Sequence, residues 1–145
     1  MRRLFIFAIA LTVLALPSPA FGTGGRPFVV PMTGAAERPG PGDPDGTGTA
    51  WLEVNPGQGE VCYTLQVADI TLPAVAAHIH RAPDTSPGPV VIPLNAPGAD
   101  GTSSGCAAAD RALLIDILVN PADYYVNVHT LPLYAAGAVR GQLSR

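Results

Sequence analysis

The fold class follows from the segment Thr47-Gly-Thr-Ala-Trp-Leu-Glu-Val54 and from Glu60-Val-Cys-Tyr-Thr-Leu-Gln-Val67, which comes after it. Polar and apolar residues alternate in both stretches, and a period of two is typical of β-strands. The stretches are joined by Asn55-Pro-Gly-Gln-Gly59, whose Pro and Gly residues favour a hairpin loop. The sequence therefore predicts a β-hairpin over residues 47–67.

Clusters of Gly and Pro divide the rest of the chain into short segments. The chain has 16 Gly and 16 Pro, concentrated at 39–46, 83–89 and 97–105, where they indicate turns and loops. Between the clusters, further strands are predicted at Phe28–Thr33, Ala74–His80, Val90–Leu94, Tyr124–Thr130 and Ala138–Leu143. This spacing predicts an all-β fold, a Greek-key-like sandwich or barrel of about seven to eight strands.

One segment has the period of a helix instead of a strand. Residues 110–120 carry four apolar side chains on one helical stripe, namely Leu113, Leu114, Ile117 and Leu118. Asp110 is a good N-cap residue, and Pro121 is expected to end the helix. The sequence therefore predicts one short helix, in a crossover that covers the sheet.

The N-terminus has the three parts of a secretory signal. Arg2 and Arg3 precede an uncharged apolar run of about 13 residues, which is shorter than the roughly 20 needed to span a bilayer. A small-residue cleavage site ends at Ala20, and an uncleaved membrane anchor is the alternative interpretation. We expect residues 1–20 to be a signal peptide, 21–27 a flexible segment and 28–145 one domain, with no transmembrane segment after cleavage.

The charge of the exported chain argues against nucleic acid as a partner. The chain has 8 basic residues, all of them Arg, against 11 Asp and Glu. Signal cleavage removes two arginines and leaves isolated cations, whereas binding to phosphate backbones needs clustered ones. We expect a secreted or extracytoplasmic protein, in the periplasm or at the cell surface.

The two cysteines, Cys62 and Cys106, are expected to form a disulfide bond, because an even number of cysteines in an exported chain is typical of one. Two metal-binding thiolates are the alternative, but neither residue has a second Cys nearby. Cys62 falls in a predicted strand and Cys106 just before the predicted helix. The bond is therefore expected to tie the helical crossover to the sheet.

Three predicted strands each have one apolar and one polar side, and the polar sides include all three histidines. Residues two apart on a strand point to the same face, so His78 and His80 share a face. If these strands are neighbours, they form one polar face, which consists of His78, His80, His129, Tyr125, Asn127, Arg140 and Gln142.

This polar face has two interpretations. It is either a hydrogen-bonded cluster that fixes strand register, or a metal site in which His78, His80 and His129 bind copper or zinc. Arg140 opposes the metal interpretation, because a fixed cation nearby disfavours a dication. The sequence leaves both interpretations open.

Four motifs in this order resemble the CHRD domain, which is named for chordin and is widespread in secreted bacterial proteins. They are Ala77-His-Ile-His80, Gly88-Pro-Val-Val91, Tyr124-Tyr-Val-Asn-Val-His-Thr130 and Gly137-Ala-Val-Arg-Gly-Gln-Leu143. Thr33-Gly-Ala-Ala-Glu37 and Gly46-Thr-Gly-Thr-Ala50 resemble the opening segment of the same family. The resemblance covers residues 28–144, nearly the whole exported chain.

The resemblance implies an all-β, extracellular domain to which no catalytic activity is attached. In chordin the domain is repeated in an antagonist of secreted growth factors, and that role does not transfer to a single copy. We therefore expect a non-enzymatic binding or structural module for an unknown extracellular protein or surface ligand. The alternative function is copper or zinc binding by the three histidines.

Signal cleavage predicts a defined N-terminus. Mass spectrometry of protein recovered from an exporting host should show a chain that begins near Phe21, because the small-residue site ends at Ala20. An intact Met1 in the exported material would support the membrane anchor instead.

Overall fold

A computed structural model describes residues 24–145, so the expected signal peptide lies outside the described residues. Within these residues there are eight strands: β1 Arg26–Thr33, β2 Thr47–Asn55, β3 Glu60–Ala68, β4 Ala76–Arg81, β5 Val90–Leu94, β6 Thr102–Ala108, β7 Tyr124–His129 and β8 Val139–Gln142. One helix, α1, spans Arg111–Val119, and 3-10 turns lie at Gly34–Ala36 and Pro121–Asp123. Arg26 and Pro27, which were expected to be flexible, belong to β1.

The strands form one eight-stranded sheet in the order β5-β4-β7-β8-β1-β2-β3-β6, and each neighbouring pair is antiparallel. The edge strands β5 and β6 approach each other, and Ser103 Oγ donates a hydrogen bond to the Asn95 carbonyl across this seam at 2.8 Å. The sheet is therefore a nearly closed barrel. The predicted all-β class is confirmed, and of the two architectures expected the barrel is the one found.

The predicted hairpin is present as β2 and β3, with Asn55 paired to Glu60. The loop is held by Asn55, whose Oδ1 accepts from the Gln58 N–H at 3.0 Å and whose carbonyl accepts from the Gly59 N–H at 2.9 Å. Gly59 has φ +71°, a left-handed conformation that a residue without Cβ adopts at low cost. The local sequence therefore encodes the turn of this hairpin as well as its two strands.

The apolar side of each strand faces the barrel interior. β2 and β3 supply Leu52, Val54, Val61 and Leu65 to this core, and all four are buried. The predicted helix is confirmed as α1, which adds Leu114 and Ile117 to the same core. Burying each of these two side chains contributes roughly 1.5–3 kcal/mol.

The two ends of α1 follow from local chemistry. The Asp110 carboxylate accepts a hydrogen bond from the Ala112 N–H at 2.7 Å, which satisfies a free donor of the first turn. The helix ends at Val119, two residues before Pro121. Within residues 24–145, no helix is both long enough and apolar enough to cross a membrane.

Cys106 lies in β6, a strand that the sequence did not predict and that begins within the loop expected at 97–105. The strand reads Thr-Ser-Ser-Gly-Cys-Ala-Ala, whose small residues give no clear alternation of large apolar side chains. It forms because its backbone pairs with β3, and this pairing sets Cys106 directly opposite Cys62. The sulfur atoms lie 2.03 Å apart, so the disulfide bond joins two strands rather than the helix to the sheet.

The disulfide bond ties the edge strand β6 to the barrel, and its loss should reduce stability. The bond closes a loop with a sequence separation of 44 residues, so Cys62→Ser should lower the free energy of unfolding by about 2–4 kcal/mol. Urea unfolding of the variant and of the wild type measures the difference. The reduced wild type is the matched control and should be destabilised to a similar extent.

A thiol titration tests the bond independently. Denatured but non-reduced wild type should contain no titratable thiol, and two thiols per chain would show that the bond is not formed in the native protein.

Candidate functional site

The polar side chains expected to share a face lie on three adjacent strands, β4, β7 and β8. The register pairs His80 with Tyr125, and Asn127 with both His78 and Arg140. The intervening residues of these strands point into the core, so the polar side chains lie on the outer side of the barrel. The strand order therefore brings together residues that are up to 64 positions apart in the chain, from 78 to 142.

Loops cover this outer face, so it is not a solvated surface. The β4–β5 loop covers His80 through the Gly88 carbonyl, and the β7–β8 loop covers His129 through the Ala135 carbonyl. His80 is 7% exposed, Asn127 2% and Arg140 1%. His78 and His129 are half-buried and form the accessible rim of the cluster.

Backbone carbonyls determine the tautomers of two histidines. His80 Nδ1 lies 2.8 Å from the Gly88 carbonyl, and His129 Nδ1 lies 3.0 Å from the Ala135 carbonyl. A carbonyl only accepts hydrogen bonds, so each Nδ1 carries the proton and each Nε2 of the neutral ring has a free lone pair. The Nε2 of His80 is buried without a hydrogen-bond partner.

The three imidazoles converge on one region. His78 Nδ1 lies 3.2 Å from His129 Nε2, and one ring nitrogen from each histidine lies within 4.8 Å of the other two. A tetrahedral ion about 2.0–2.1 Å from each nitrogen requires the ligand nitrogens to lie about 3.4 Å from one another. Modest rotation of the histidine side chains would bring the three nitrogens to these distances. The arrangement can hold one metal ion with three nitrogen ligands.

The histidines remain neutral over a wide pH range. Burial, followed by the charges of His129 and His80, lowers the pKa of His78 to about 4. Burial also lowers the pKa values of His80 and His129. Metal ions bind the neutral ring, so the site does not have to lose protons from its histidines before it binds an ion.

Arg140 is directed away from the histidines. Its guanidinium donates to the carbonyls of Ser86 at 3.0 Å and Pro83 at 2.8 Å, and to Gln142 Oε1 at 3.0 Å. The Tyr125 ring stacks on the His80 ring with centroids 4.7 Å apart, and the Arg140 Cζ lies 3.5 Å from the Tyr125 centroid.

Because β7 lies between β4 and β8, the Tyr125 ring separates the Arg140 guanidinium from the His80 imidazole. The charge of Arg140 still contributes to the lowered pKa of His80, but as the smallest of the causes. The guanidinium therefore opposes a cation less than its position in the sequence suggested. Gln142 completes this side of the face and donates to the carbonyls of Ala82 and Ala122 at 2.8 and 2.7 Å.

One buried acid beside the face was not selected from the sequence. Glu37 directly follows the 3-10 turn at Gly34–Ala36. The residue is 2% exposed, and its Oε1 has no hydrogen-bond partner. Burial raises the pKa of Glu37 to about 7, although the Arg38 N–H, the Arg140 charge and the Asn127 amide act to lower it. Its only signal in the sequence is its place in the opening motif of the CHRD resemblance.

The surroundings of Glu37 explain why it was missed. A Cβ at Gly137, which has φ +146°, would collide with the Glu37 carboxyl group, and a Cβ at Gly42 would approach the Glu37 Cγ to 2.8 Å. The carboxyl group thus lies in a space left open by Gly42 of the same β1–β2 connection and by Gly137 of the distant β7–β8 loop. A local sequence pattern does not encode such a space.

The fold and the site together define a disulfide-linked β-barrel module with an imidazole cluster under its loops. The family model of the CHRD domain matches residues 28–143, so the chain belongs to the CHRD domain family and the resemblance is confirmed. At family level the CHRD domain is a non-enzymatic module. No curated protein and no solved structure matches the chain.

The buried Glu37 predicts a pH-dependent stability. Folding raises its pKa from 4.5 to about 7, so its stabilising contribution is complete below pH 4.5 and is lost as the pH rises through 7. Glu37→Gln removes this titration. Relative to wild type, the variant should gain about 2–3 kcal/mol of unfolding free energy between pH 5 and pH 8.

Urea unfolding in the presence of a chelator, at several pH values, measures this difference. The histidines titrate in both proteins, so their contribution cancels. A difference between the two proteins that stays constant from pH 5 to pH 8 would contradict the prediction.

Proposed function

We propose that this protein is an extracytoplasmic, non-enzymatic CHRD module that binds one copper or zinc ion through His78, His80 and His129. The observation that carries the proposal is the Nε2 of His80, which is buried without a partner inside a cluster of imidazoles. A buried polar atom without a partner costs about 1–3 kcal/mol. A metal ion would remove that cost.

The ligand set favours copper or zinc over other ions. Imidazole nitrogens suit zinc and copper, whereas calcium and magnesium prefer oxygen ligands. The Nδ1–H groups of His80 and His129 donate to backbone carbonyls, an arrangement that orients most metal-binding histidines in proteins. In the proposed site, His80 and His129 bind through Nε2 and His78 through Nδ1.

An extracytoplasmic location is supported by the disulfide bond between Cys62 and Cys106, since such bonds persist in oxidising compartments. We infer that the protein works in the periplasm or at the cell surface, in agreement with the signal expected at residues 1–20. Its barrel supplies a rigid scaffold, and the covering loops shield the site from bulk water.

A structural role for the same face is the second candidate. The Nδ1–H of His78 can donate a hydrogen bond to the lone pair of His129 Nε2, 3.2 Å away, and this bond links β4 with β7 even when no ion is bound. In that case the module would bind an extracellular protein or surface ligand elsewhere, and the histidines would fix only the strand register.

A metal titration separates the two candidates. Untagged wild type should bind one equivalent of Zn²⁺ or copper, as measured by isothermal titration calorimetry. Loss of partners that merely orient metal ligands costs 10–100-fold in affinity, so loss of a ligand in His78→Ala or His129→Ala should weaken binding by at least about 100-fold.

Asp84→Asn is the matched control, because it removes an exposed carboxylate from the β4–β5 loop and leaves the imidazoles unchanged. Wild type that binds neither metal would exclude the metal function and leave the structural role. Histidine variants that bind as tightly as wild type would show that the ion lies elsewhere.

A further inference from the structure

Asn127 lies against the imidazole cluster, on the same outer side of the barrel. It pairs with His78 across β4 and β7, so the two side chains project from adjacent strands toward one side. The Oδ1 atom of Asn127 lies 3.0 Å from His129 Nε2, and the residue is 2% exposed. A buried side-chain oxygen is therefore present beside the nitrogens that converge in the cluster.

The close approach of Asn127 to His129 joins two acceptors. The Nδ1–H of His129 donates to the Ala135 carbonyl, so Nε2 of the neutral ring has a lone pair and no proton. An amide oxygen also offers only lone pairs. A hydrogen bond therefore does not explain the 3.0 Å separation of these two atoms. A cation bound by both atoms would explain it, because each atom would then direct a lone pair at the ion.

The distances around His129 Nε2 match the spacing of ligands in a four-coordinate site. Atoms about 2.0–2.1 Å from a tetrahedral ion lie about 3.4 Å from one another. His129 Nε2 is 3.2 Å from His78 Nδ1 and 3.0 Å from Asn127 Oδ1, and both distances are close to that spacing. One ring nitrogen of His80 lies within 4.8 Å of one nitrogen from each of the other two histidines. Small side-chain rotations would place three nitrogens and one oxygen at the corners of a tetrahedron.

We propose that Asn127 Oδ1 is the fourth metal ligand and that the cluster is a closed, tetrahedral site for Zn²⁺. The inference rests on the proposed metal function and specifies its ion. Zn²⁺ takes nitrogen and oxygen ligands and is almost always tetrahedral in structural sites. Cu²⁺ prefers square-planar or tetragonal geometry, and sulfur ligands select Cu(I). Three imidazoles and one amide oxygen in a tetrahedral arrangement therefore favour zinc over copper.

Four protein ligands leave no position on the ion for water. His80 and Asn127 are buried and supply the inner two ligands, and His78 and His129 supply the outer two from the half-buried rim. Catalytic zinc sites keep one position open for water or substrate, whereas structural sites are closed. A closed site agrees with a non-enzymatic module. Because all four ligands belong to β4 and β7, the ion would cross-link these two strands.

Cobalt substitution tests the fourth ligand. Co²⁺ can replace Zn²⁺, and its visible absorption is intense in a four-coordinate tetrahedral site and weak when more ligands surround the ion. Wild type loaded with Co²⁺ should give the intense spectrum, and sodium azide should not change it, because no position on the ion is open. Asn127→Ala should give a spectrum that azide changes, since water would replace the amide oxygen and azide can displace that water.

Asn127→Asp is the matched control, because it keeps an oxygen atom at the same position. Carboxylate oxygens are common zinc ligands, so this variant should bind Zn²⁺ at least as tightly as wild type and retain the azide-insensitive Co²⁺ spectrum. Asn127→Ala should bind Zn²⁺ about 10–100-fold more weakly. This loss is smaller than the loss expected for a histidine variant, because water can take the place of a neutral amide oxygen.

The outcomes distinguish this inference from the metal function itself. Wild type that binds neither Zn²⁺ nor copper overturns both. Wild type that binds copper but no Zn²⁺, or whose Co²⁺ spectrum changes with azide, overturns the closed zinc site and leaves a site of three histidines. An Asn127→Ala variant with the azide-insensitive spectrum of wild type would show that Asn127 is not a ligand.

A measurement on wild type keeps the inference testable if neither variant folds. A metal ion bound through Oδ1 withdraws electron density from the side-chain carbonyl carbon of Asn127. Carbon-13 NMR should therefore show a downfield shift of this carbon on saturation with Zn²⁺. A carbon resonance that stays in place while the histidine ring resonances move would overturn the assignment of Asn127 as a ligand.

Discussion

The pairing of β7 between β4 and β8 is the interaction on which the rest of the structure depends. This register sets His80 opposite Tyr125 and places Asn127 between His78 and Arg140. A slip of one residue would turn the apolar side of β7 outward and its polar side into the core. The buried core on one face and the polar cluster on the other therefore stabilise the same register.

The β4–β5 and β7–β8 loops bury most of the polar face on the outer side of β4, β7 and β8. Arg140 donates to two carbonyls of the β4–β5 loop, and this loop in turn supplies the carbonyl that accepts from His80. A buried guanidinium needs such partners, since an unpaired charge in the interior is costly. From the sequence, Arg140 was expected to oppose a metal ion. In the structure it mainly holds the β4–β5 loop over the imidazoles.

The two features that the sequence did not reveal share a physical cause. The strand β6 consists of small residues and becomes a strand because β3 offers it a partner. Glu37 is buried because Gly137, from the distant β7–β8 loop, leaves room for its carboxyl group, together with Gly42 from the same β1–β2 connection as Glu37. In both cases the decisive contact joins segments that are far apart in the chain, and no local pattern records it.

The sequence by itself determined the all-β class, the hairpin of β2 and β3, the helix α1 and the phase of each histidine, because alternation and capping are properties of neighbouring residues. Only the tertiary structure decided that β4, β7 and β8 are adjacent, which ring nitrogens keep their lone pairs, and that Glu37 is buried. Those features depend on carbonyls and glycines brought in by loops. Their positions follow from the closure of the whole barrel.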